Sequence, residues 1–405
     1  MLCDFTYHFL LPSASRTNFS LTIRHMATTP TPRGFDPHHN NFDLLRLFAA
    51  SQVAFIHIGD ELHIEFSGWL LSVRHNLDYF PGVPIFFVIS GFLISASLDR
   101  HPNLRNYAIN RALRIYPALW TSTLVTLLML TVFGNRIWEA IQTSGDNRFI
   151  IVAKWLIAQF SIAQFYNPAV FRANFGIGHL NGSLWTIPVE LQFYLALPLL
   201  APLLWRGLST LQQNVRLMGM TLLLFALSWI FVNYHDEINS VSVKLAFLIR
   251  LSLLPYWYIF MLGIILQRNQ ASLARVLNGK GLYWLAVYLL IAFIFSRYDQ
   301  IPQNIYTSNL LLMTLLSVTV VSLAFTVRDL ANRLLQGNDI SYGTYIYHGI
   351  VLNLAFELGF TRSIHVFVVV LLVSYLLAVA SWLTVEQPAL GLKHSPLLYR
   401  GHPHH

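Results

Sequence analysis

Residues 41–62, NFDLLRLFAASQVAFIHIGDEL, form one strongly apolar segment in which His57 lies eleven positions after Arg46. In an α-helix this spacing is close to three turns, so both side chains point the same way, about 16 Å apart along the axis. Arginine and histidine are costly inside hydrocarbon and usually face a polar cavity or a partner helix. Arg46 and His57 are therefore candidate functional residues, and His57 is a candidate proton acceptor.

Composition places the chain in a membrane. Of its 405 residues, 55% are hydrophobic and only 11% are charged, whereas soluble domains carry about 25% charged residues. Repeated apolar stretches of spanning length predict an all-α polytopic membrane protein. The net charge of +8 lies mostly in alternate loops, which is typical of membrane topology and argues against nucleic acid as a partner. The single cysteine, Cys3, excludes an intramolecular disulfide and a cysteine-rich metal site, and we expect no metal.

Loop charges predict the topology. The loop 99–114 is rich in arginine and is expected in the cytoplasm, whereas the acidic loop 58–80 is expected outside. The inside and outside assignments of the loops are mutually consistent only if the stretch 149–165 does not cross the membrane. This stretch is interrupted by polar side chains, so we expect it to be re-entrant or interfacial. The predicted spans are 42–60, 80–98, 114–133, 183–205, 217–234, 247–267, 281–296, 306–326, 340–360 and 365–386.

These ten transmembrane helices place both termini in the cytoplasm. The corresponding domains are a cytoplasmic N-terminal tail, 1–41, a membrane domain, 42–390, and a cytoplasmic C-terminal tail, 391–405. Met26 offers a second possible start of translation beside Met1.

Two arginines mark the expected cytoplasmic mouth of the third span. Arg111 and Arg114 are three positions apart and share one helix face. Guanidinium groups suit bidentate phosphate contacts, so the pair is a candidate anion site. The alternative is ordinary positive-inside topology, which needs arginines but no defined pair.

Glu190 lies about two turns into a span entered from outside, so we expect it at a depth similar to that of His57. A carboxylate there is expensive unless it is paired or hydrated. It could orient His57, raise its basicity or bind a substrate hydroxyl, and Tyr194, four positions on, could hydrogen-bond on the same face. A purely structural buried pair is the alternative.

Two further segments are informative. The small residues Ser90, Gly91 and Ser95 on a bulky helix predict close helix packing. Ser90 could form a polar cavity wall, but no base adjacent in sequence marks it as a nucleophile. Tyr345 and His348 stack three positions apart in a later span and are candidate substrate-binding residues, with helix packing as the alternative.

These motifs, in this order, resemble the acyltransferase family 3 of membrane proteins, bacterial O-acyltransferases that decorate surface sugars. The resemblance covers about residues 42–390. The matching elements are Arg46-x10-His57, Gly82-VPIFFVISGF, Arg111-x-x-Arg114-Ile-x-Pro117, Leu184-Trp-Thr-x-x-x-Glu190-x-x-Phe-Tyr194, Ile340-Ser-Tyr-x-x-Tyr345-x-x-His348 and Glu386-x-Pro388. Gln387 stands where the family usually has arginine, and Leu47-Phe48 replaces a small residue.

The resemblance implies a function. Arg46 and His57 correspond to the paired essential residues of the family, and Glu190 to its acidic residue. Arg111 and Arg114 correspond to the arginine pair thought to hold the acyl donor, usually acetyl-coenzyme A. The expected reaction moves an acyl group from cytosolic acyl-CoA to a hydroxyl of an extracytoplasmic carbohydrate, such as lipopolysaccharide, exopolysaccharide or a lipid-linked sugar, in the bacterial cytoplasmic (inner) membrane.

In the corresponding mechanism, His57 is a general base or briefly carries the acyl group. Arg46 and Glu190 set its charge state and stabilise the oxyanion. Two other functions remain open at this level. A secondary transporter also has about ten spans and charges at mid-depth, although the chain shows no repeated halves. An acyltransferase could also act on a lipid or a small molecule.

Overall fold

The computed structural model of the chain describes residues 39–100, 103–297, 309–327, 329–360 and 363–394, which form helices and turns with no β-strand among them. The all-helical prediction is therefore confirmed for this part of the chain. The predicted tails, 1–41 and 391–405, fall mainly outside it. The α-helices are α1 Phe42–Glu61, α2 Gly68–Asp78, α3 Gly82–Arg100, α4 Leu104–Phe133, α5 Asn135–Ser144, α6 Arg148–Phe160, α7 Ala169–Asn174, α8 Thr186–Leu204, α9 Thr210–Asn233, α10 His235–Val241, α11 Val243–Arg250, α12 Trp257–Arg268, α13 Gln270–Leu277, α14 Gly281–Arg297, α15 Leu310–Ala324, α16 Leu330–Leu335, α17 Ser341–Glu357, α18 Ile364–Ser381 and α19 Gln387–Gly391.

Several of these helices suit a bilayer. Within the described ranges, six helical segments are long and apolar enough to cross a membrane, or seven if α13 and α14, bent by 82°, form one span. The helices α12 and α15 are apolar but shorter. The chain thus has the helices of a multi-pass membrane protein. Ten spans and two cytoplasmic termini stay predictions.

The predicted span 247–267 is wrong as a single helix. It is divided between α11 and α12, and Pro255 lies in the turn between them. Proline lacks the backbone N–H that would continue a helix, which explains the break. The 12 residues of α12 extend about 18 Å, less than the roughly 30 Å of a hydrocarbon core.

The stretch 149–165 does not form a spanning helix. α6 has 13 residues, about 20 Å, and its C-terminal end is tied to the turn that follows. The side-chain amide of Gln159 donates to the carbonyls of Gln164 at 3.2 Å and Tyr166 at 3.0 Å. The indole of Trp155 donates to Asn167 at 3.2 Å. The polar residues that interrupt this apolar stretch therefore bond α6 to the turn after Phe160, and whether the stretch crosses the membrane stays a prediction.

The core is centred on α3, which packs closely against α12. A Cβ atom on Gly91 would collide with the carbonyl group of Phe260, and one on Gly263 would collide with the carbonyl of Val88. The hydroxyl of Ser95 donates to the carbonyl of Gly91 at 2.7 Å, so burial of this serine leaves no hydroxyl group without a hydrogen bond. The predicted use of small residues for helix packing is confirmed.

The last span, predicted as 365–386, continues as helix through Pro388 to Gly391. A π-helical turn, Trp382–Glu386, follows α18 and leads into α19. Pro388 occupies the first turn of α19, where its missing N–H costs no intrahelical hydrogen bond. The chain consequently continues beyond Gly391 and brings Lys393 to the cavity described next.

Candidate active site

One cavity of about 400 Å³ lies between α1, α3, α4, α8 and α17. It gathers seven of the residues that the sequence singled out. They are Arg46, Ser90, Arg111, Arg114, Glu190, Tyr194 and Tyr345. The other charged residues of its wall are Asp43, Arg100, Asp339 and Lys393. Five basic and three acidic side chains in the described part of the chain thus share one space. This excess of positive charge favours an anionic occupant.

Asp339 organises the arginines of this cavity. Its buried carboxylate accepts a hydrogen bond from Arg114 and lies 3.9 Å from Nη1 of Arg46. It also accepts from the backbone N–H of Ser341 at 3.1 Å. Burial raises the pKa of Asp339, but the charges of Arg114 and Arg46 outweigh burial and hold that pKa below its usual range. Sequence reasoning missed Asp339, although it stands directly before the motif that begins at Ile340.

Arg111 differs from Arg114 in having no carboxylate partner among the described residues. Its guanidinium carbon lies 5.8 Å from the ring centre of Tyr194, and its buried Nε has no hydrogen-bond partner in the same part of the chain. The two arginines predicted to act as a pair are therefore unequal. Arg114 is neutralised by Asp339, whereas Arg111 keeps its donors available for an incoming anion.

Lys393 adds a titratable cation to this wall. Burial, together with the nearby charges of Arg111 and Arg114, lowers the pKa of Lys393 from 10.5 to about 8. A lowered pKa is what crowding of positive charge produces. No motif pointed to Lys393, because it reaches the cavity only through the turn and short helix after α18.

Glu190 is held by two hydroxyl groups within the cavity wall. Its Oε1 accepts from the hydroxyl of Ser90 at 2.8 Å and from the hydroxyl of Tyr194. The predicted Glu190–Tyr194 hydrogen bond is confirmed, and Ser90 is a polar wall residue as expected. The expected contact between Glu190 and His57 is not among the hydrogen bonds of the described residues. Whether Glu190 acts in catalysis stays a prediction.

His57 pairs with His348 instead. Nδ1 of His57 lies 3.2 Å from Nε2 of His348, and the ring centres are 5.4 Å apart. The other nitrogen of His348, Nδ1, lies 3.2 Å from the carbonyl oxygen of Thr344. His348 is 1% exposed, and His57 is partly buried. The two histidines, 291 positions apart in sequence, form one hydrogen-bonded unit between α1 and α17.

Tyr345 separates the cavity from the histidine pair. Its ring lines the cavity and lies 6.0 Å, centre to centre, from the ring of His348. Its hydroxyl is bonded to Thr186 at 2.8 Å and to the carbonyl of Ser183 at 2.9 Å. Neither His57 nor His348 lines the cavity in the described part of the chain. The structure therefore divides the predicted site into a basic cavity and a histidine pair, which meet at Tyr345.

No group of three or more histidine, cysteine, aspartate or glutamate side chains among the described residues could hold a metal ion. The chemistry available at this site is that of guanidinium, carboxylate, phenol and imidazole groups. Such groups can bind an anion and exchange protons with a hydroxyl group.

The sequence has recognisable relatives. The family model described as "Acyltransferase domain", of acyltransferase family 3, matches residues 39–383. Nodulation protein 10 of Rhizobium leguminosarum bv. viciae is 30% identical over 376 residues, 88% of this chain and 95% of that protein. An O-acetyl transferase of Shigella phage Sf6 is 26% identical, over 86% of this chain and 95% of the relative. The peptidoglycan O-acetyltransferase OatA of Listeria monocytogenes is 24% identical, over 68% of this chain and 45% of the relative. No solved structure matches the chain.

Proposed function

The chain belongs to acyltransferase family 3 and is an acyltransferase, and on that premise we propose that it is a membrane O-acetyltransferase using acetyl-CoA and a carbohydrate hydroxyl. The observation that carries this proposal is the arrangement along α1. Arg46 lines a basic cavity, and His57 stands about 16 Å further along the same helix. One helix thus joins a site for an anionic donor to a histidine that can accept a proton.

The donor end is the basic cavity. Acetyl-CoA carries several phosphates, and Arg111, whose guanidinium is unpaired within the described part of the chain, is suited to hold one of them. Lys393 and Arg100 add positive charge to the same wall. We assign Arg46 to this end, since it lines the cavity and its distance from His57 is too large for oxyanion stabilisation.

The reacting end is His57. The acetyl thioester reaches it past Tyr345, and the acceptor hydroxyl approaches from the opposite side of the membrane. The hydroxyl oxygen attacks the thioester carbonyl while His57 takes its proton. The carbon–sulfur bond then breaks, and the proton passes to the departing thiolate of coenzyme A. Base catalysis of this kind accelerates a reaction by about 10²–10⁴-fold. An acetyl-histidine intermediate is the alternative route.

The relatives support a sugar acceptor. The Listeria relative is named for acetylation of peptidoglycan, and the phage relative for O-acetyl transfer. We therefore favour an extracytoplasmic carbohydrate over a lipid or small molecule, and a multi-pass location in the bacterial cytoplasmic membrane. The family assignment argues against a secondary transporter.

Labelled acetyl-CoA tests the proposal directly. Membrane vesicles with the cytoplasmic face outward, from cells producing the chain, are expected to transfer labelled acetyl groups to alkali-labile esters on surface polysaccharide. His57→Ala is expected to lower transfer by about 10²-fold or more. His63→Ala is the matched control, because His63 is an exposed histidine just beyond α1 that bonds only to the carbonyl of Glu61 among the described residues. Equal transfer by both variants would contradict the assignment of His57.

Two further assays test the identity of the acetyl donor and the side of the membrane from which it enters. Acetyl phosphate, which lacks the nucleotide, is expected to be inactive, and acetyl-dephospho-CoA is expected to bind more weakly than acetyl-CoA. Vesicles of the opposite orientation are expected to be inactive with externally added acetyl-CoA. Activity in those sealed vesicles would contradict cytoplasmic entry of the donor.

A further inference from the structure

The hydrogen bonds of the histidine pair determine where its protons lie. The carbonyl oxygen of Thr344 can only accept, so Nδ1 of His348, at 3.2 Å, carries a proton. His348 is 1% exposed, and burial favours a neutral ring. Its Nε2 then carries a lone pair and accepts from Nδ1 of His57, also at 3.2 Å. In a neutral His57 ring, the remaining nitrogen, Nε2, is then left without a proton.

We propose that His348 is a positioning residue that sets the tautomer of His57, so that Nε2 of His57 is the base for the acceptor hydroxyl. The proposal rests on the function proposed above and assigns the reacting atom within it. It also replaces the expectation that His348 binds substrate. Both ring nitrogens of His348 are occupied by protein partners, so the ring offers no free nitrogen to a substrate.

The surroundings of His348 keep its ring in one orientation. Asn181 donates to the carbonyl of Ile346 at 2.7 Å, which ties α17 to the segment before α8. Tyr345, bonded to Thr186, packs its ring against that of His348. A ring that is supported on several sides can hold its hydrogen-bond partner, here His57, in a single geometry. Precise proton transfer requires such a geometry.

Asp60 does not replace His348 as the orienting group. Its charge acts on His57, but both carboxylate oxygens bond to Nη2 of Arg74, at 3.1 and 3.3 Å. When His57 takes the proton of the acceptor, its Nδ1–H therefore stays bonded to the neutral ring of His348. Without His348, His57 can adopt the tautomer with hydrogen on Nε2, and that form cannot accept the proton at Nε2.

Two amide substitutions separate positioning from packing. In His348→Gln, the side-chain amide reaches the place of Nε2 and can still accept from His57. In His348→Asn, the amide reaches only the place of Nδ1 and loses that contact. We expect His348→Gln to keep kcat within about tenfold of the wild type, and His348→Asn to lower kcat by about 10²-fold or more, within the range of base catalysis. The KM for acetyl-CoA is expected to be unchanged in both.

Equal kcat values for the Gln and Asn variants would overturn the proposal, and so would a loss expressed mainly in the KM for acetyl-CoA. Nitrogen-15 NMR of the full-length protein with labelled histidine gives a readout independent of activity. His57→Asn identifies the His57 resonances. Wild-type His57 is expected to carry its proton on Nδ1, and a proton on Nε2 would overturn the inference. Absence of acetyl transfer by the wild type would instead refute the proposed function, leaving the tautomer measurement to decide this inference.

Discussion

Arg114 and Asp339 form a partly buried ion pair that joins α4 to the turn before α17, 225 positions away in sequence. The pair distinguishes the two arginines of the motif, because Arg114 is bound to Asp339, whereas Arg111 has no carboxylate partner in the described part of the chain. It also places a negative charge beside Arg46. The electrostatics of the cavity therefore depend on an acidic residue outside the arginine motif.

Asp339→Asn is expected to destabilise the protein. The substitution leaves the partly buried Arg114 without its countercharge, and losing a hydrogen bond to a charged group costs about 1–3 kcal/mol. Thermal unfolding in detergent would show a lower midpoint than the wild type. Asp43→Asn is the matched control, because the side chain of Asp43 is 51% exposed. A midpoint equal to that of the wild type in Asp339→Asn would contradict a stabilising ion pair.

The contribution of Asp339 also predicts a pH window. Its pKa in the folded chain lies below the ordinary 3.8, so its ionised form stabilises the folded state above that pH. This stabilisation is lost as the pH falls from 3.8 through the folded value. The difference in unfolding midpoint between wild type and Asp339→Asn is thus expected to be constant near neutral pH and to shrink only in strong acid. A difference that already disappears near neutral pH would contradict the prediction.

Arg111→Ala and Arg114→Ala are expected to have different effects. Arg111 has no carboxylate partner among the described residues, so its loss should raise the KM for acetyl-CoA by about 10-fold or more while leaving thermal stability near that of the wild type. Arg114→Ala leaves the buried charge of Asp339 with only the more distant Arg46 as a countercharge and should lower stability as well. Kinetics and unfolding of both variants provide the measurement. Indistinguishable stability losses would show that the two arginines are equivalent.

Lys393 predicts a pH dependence of donor binding. Its pKa of about 8 means that the side chain is positive below that pH and neutral above it. The KM for the phosphate-bearing donor is therefore expected to rise as the pH increases through about 8. Lys393→Arg stays charged and should keep a low KM, whereas Lys393→Met should have a raised KM throughout. A rise of the same size in Lys393→Arg would assign the titration to another group.

Gly91→Ala tests the packing of α3 against α12. The added Cβ would meet the carbonyl group of Phe260, and overpacking a helix contact costs about 1–3 kcal/mol. Gly219→Ala in α9 is the matched control, since nothing lies within 4 Å of its added Cβ, and alanine favours a helix by roughly 0.5–1 kcal/mol. We expect a lower yield of folded protein only for Gly91→Ala. Equal yields would show that α3 and α12 can separate at little cost.

The sequence alone determined the features that follow from local helical geometry and composition. Apolar content required a membrane helical fold, because lipid leaves no partner for an unpaired backbone. A helical period of about 3.6 residues placed Arg46 and His57 on one face, and it placed Tyr194 one turn from Glu190, which it contacts. Such relations depend only on neighbours along the chain.

Tertiary structure alone decided which helices meet. The bonds from Asp339 to Arg114, from Ser90 to Glu190 and from His57 to His348 join residues 225, 100 and 291 positions apart. Helical periodicity says which face a side chain occupies but not which helix lies opposite. That choice depends on packing across the whole bundle, including the close approach at Gly91 and the turn at Pro255. For this reason Glu190 lines the basic cavity, and His348 is the residue that contacts His57.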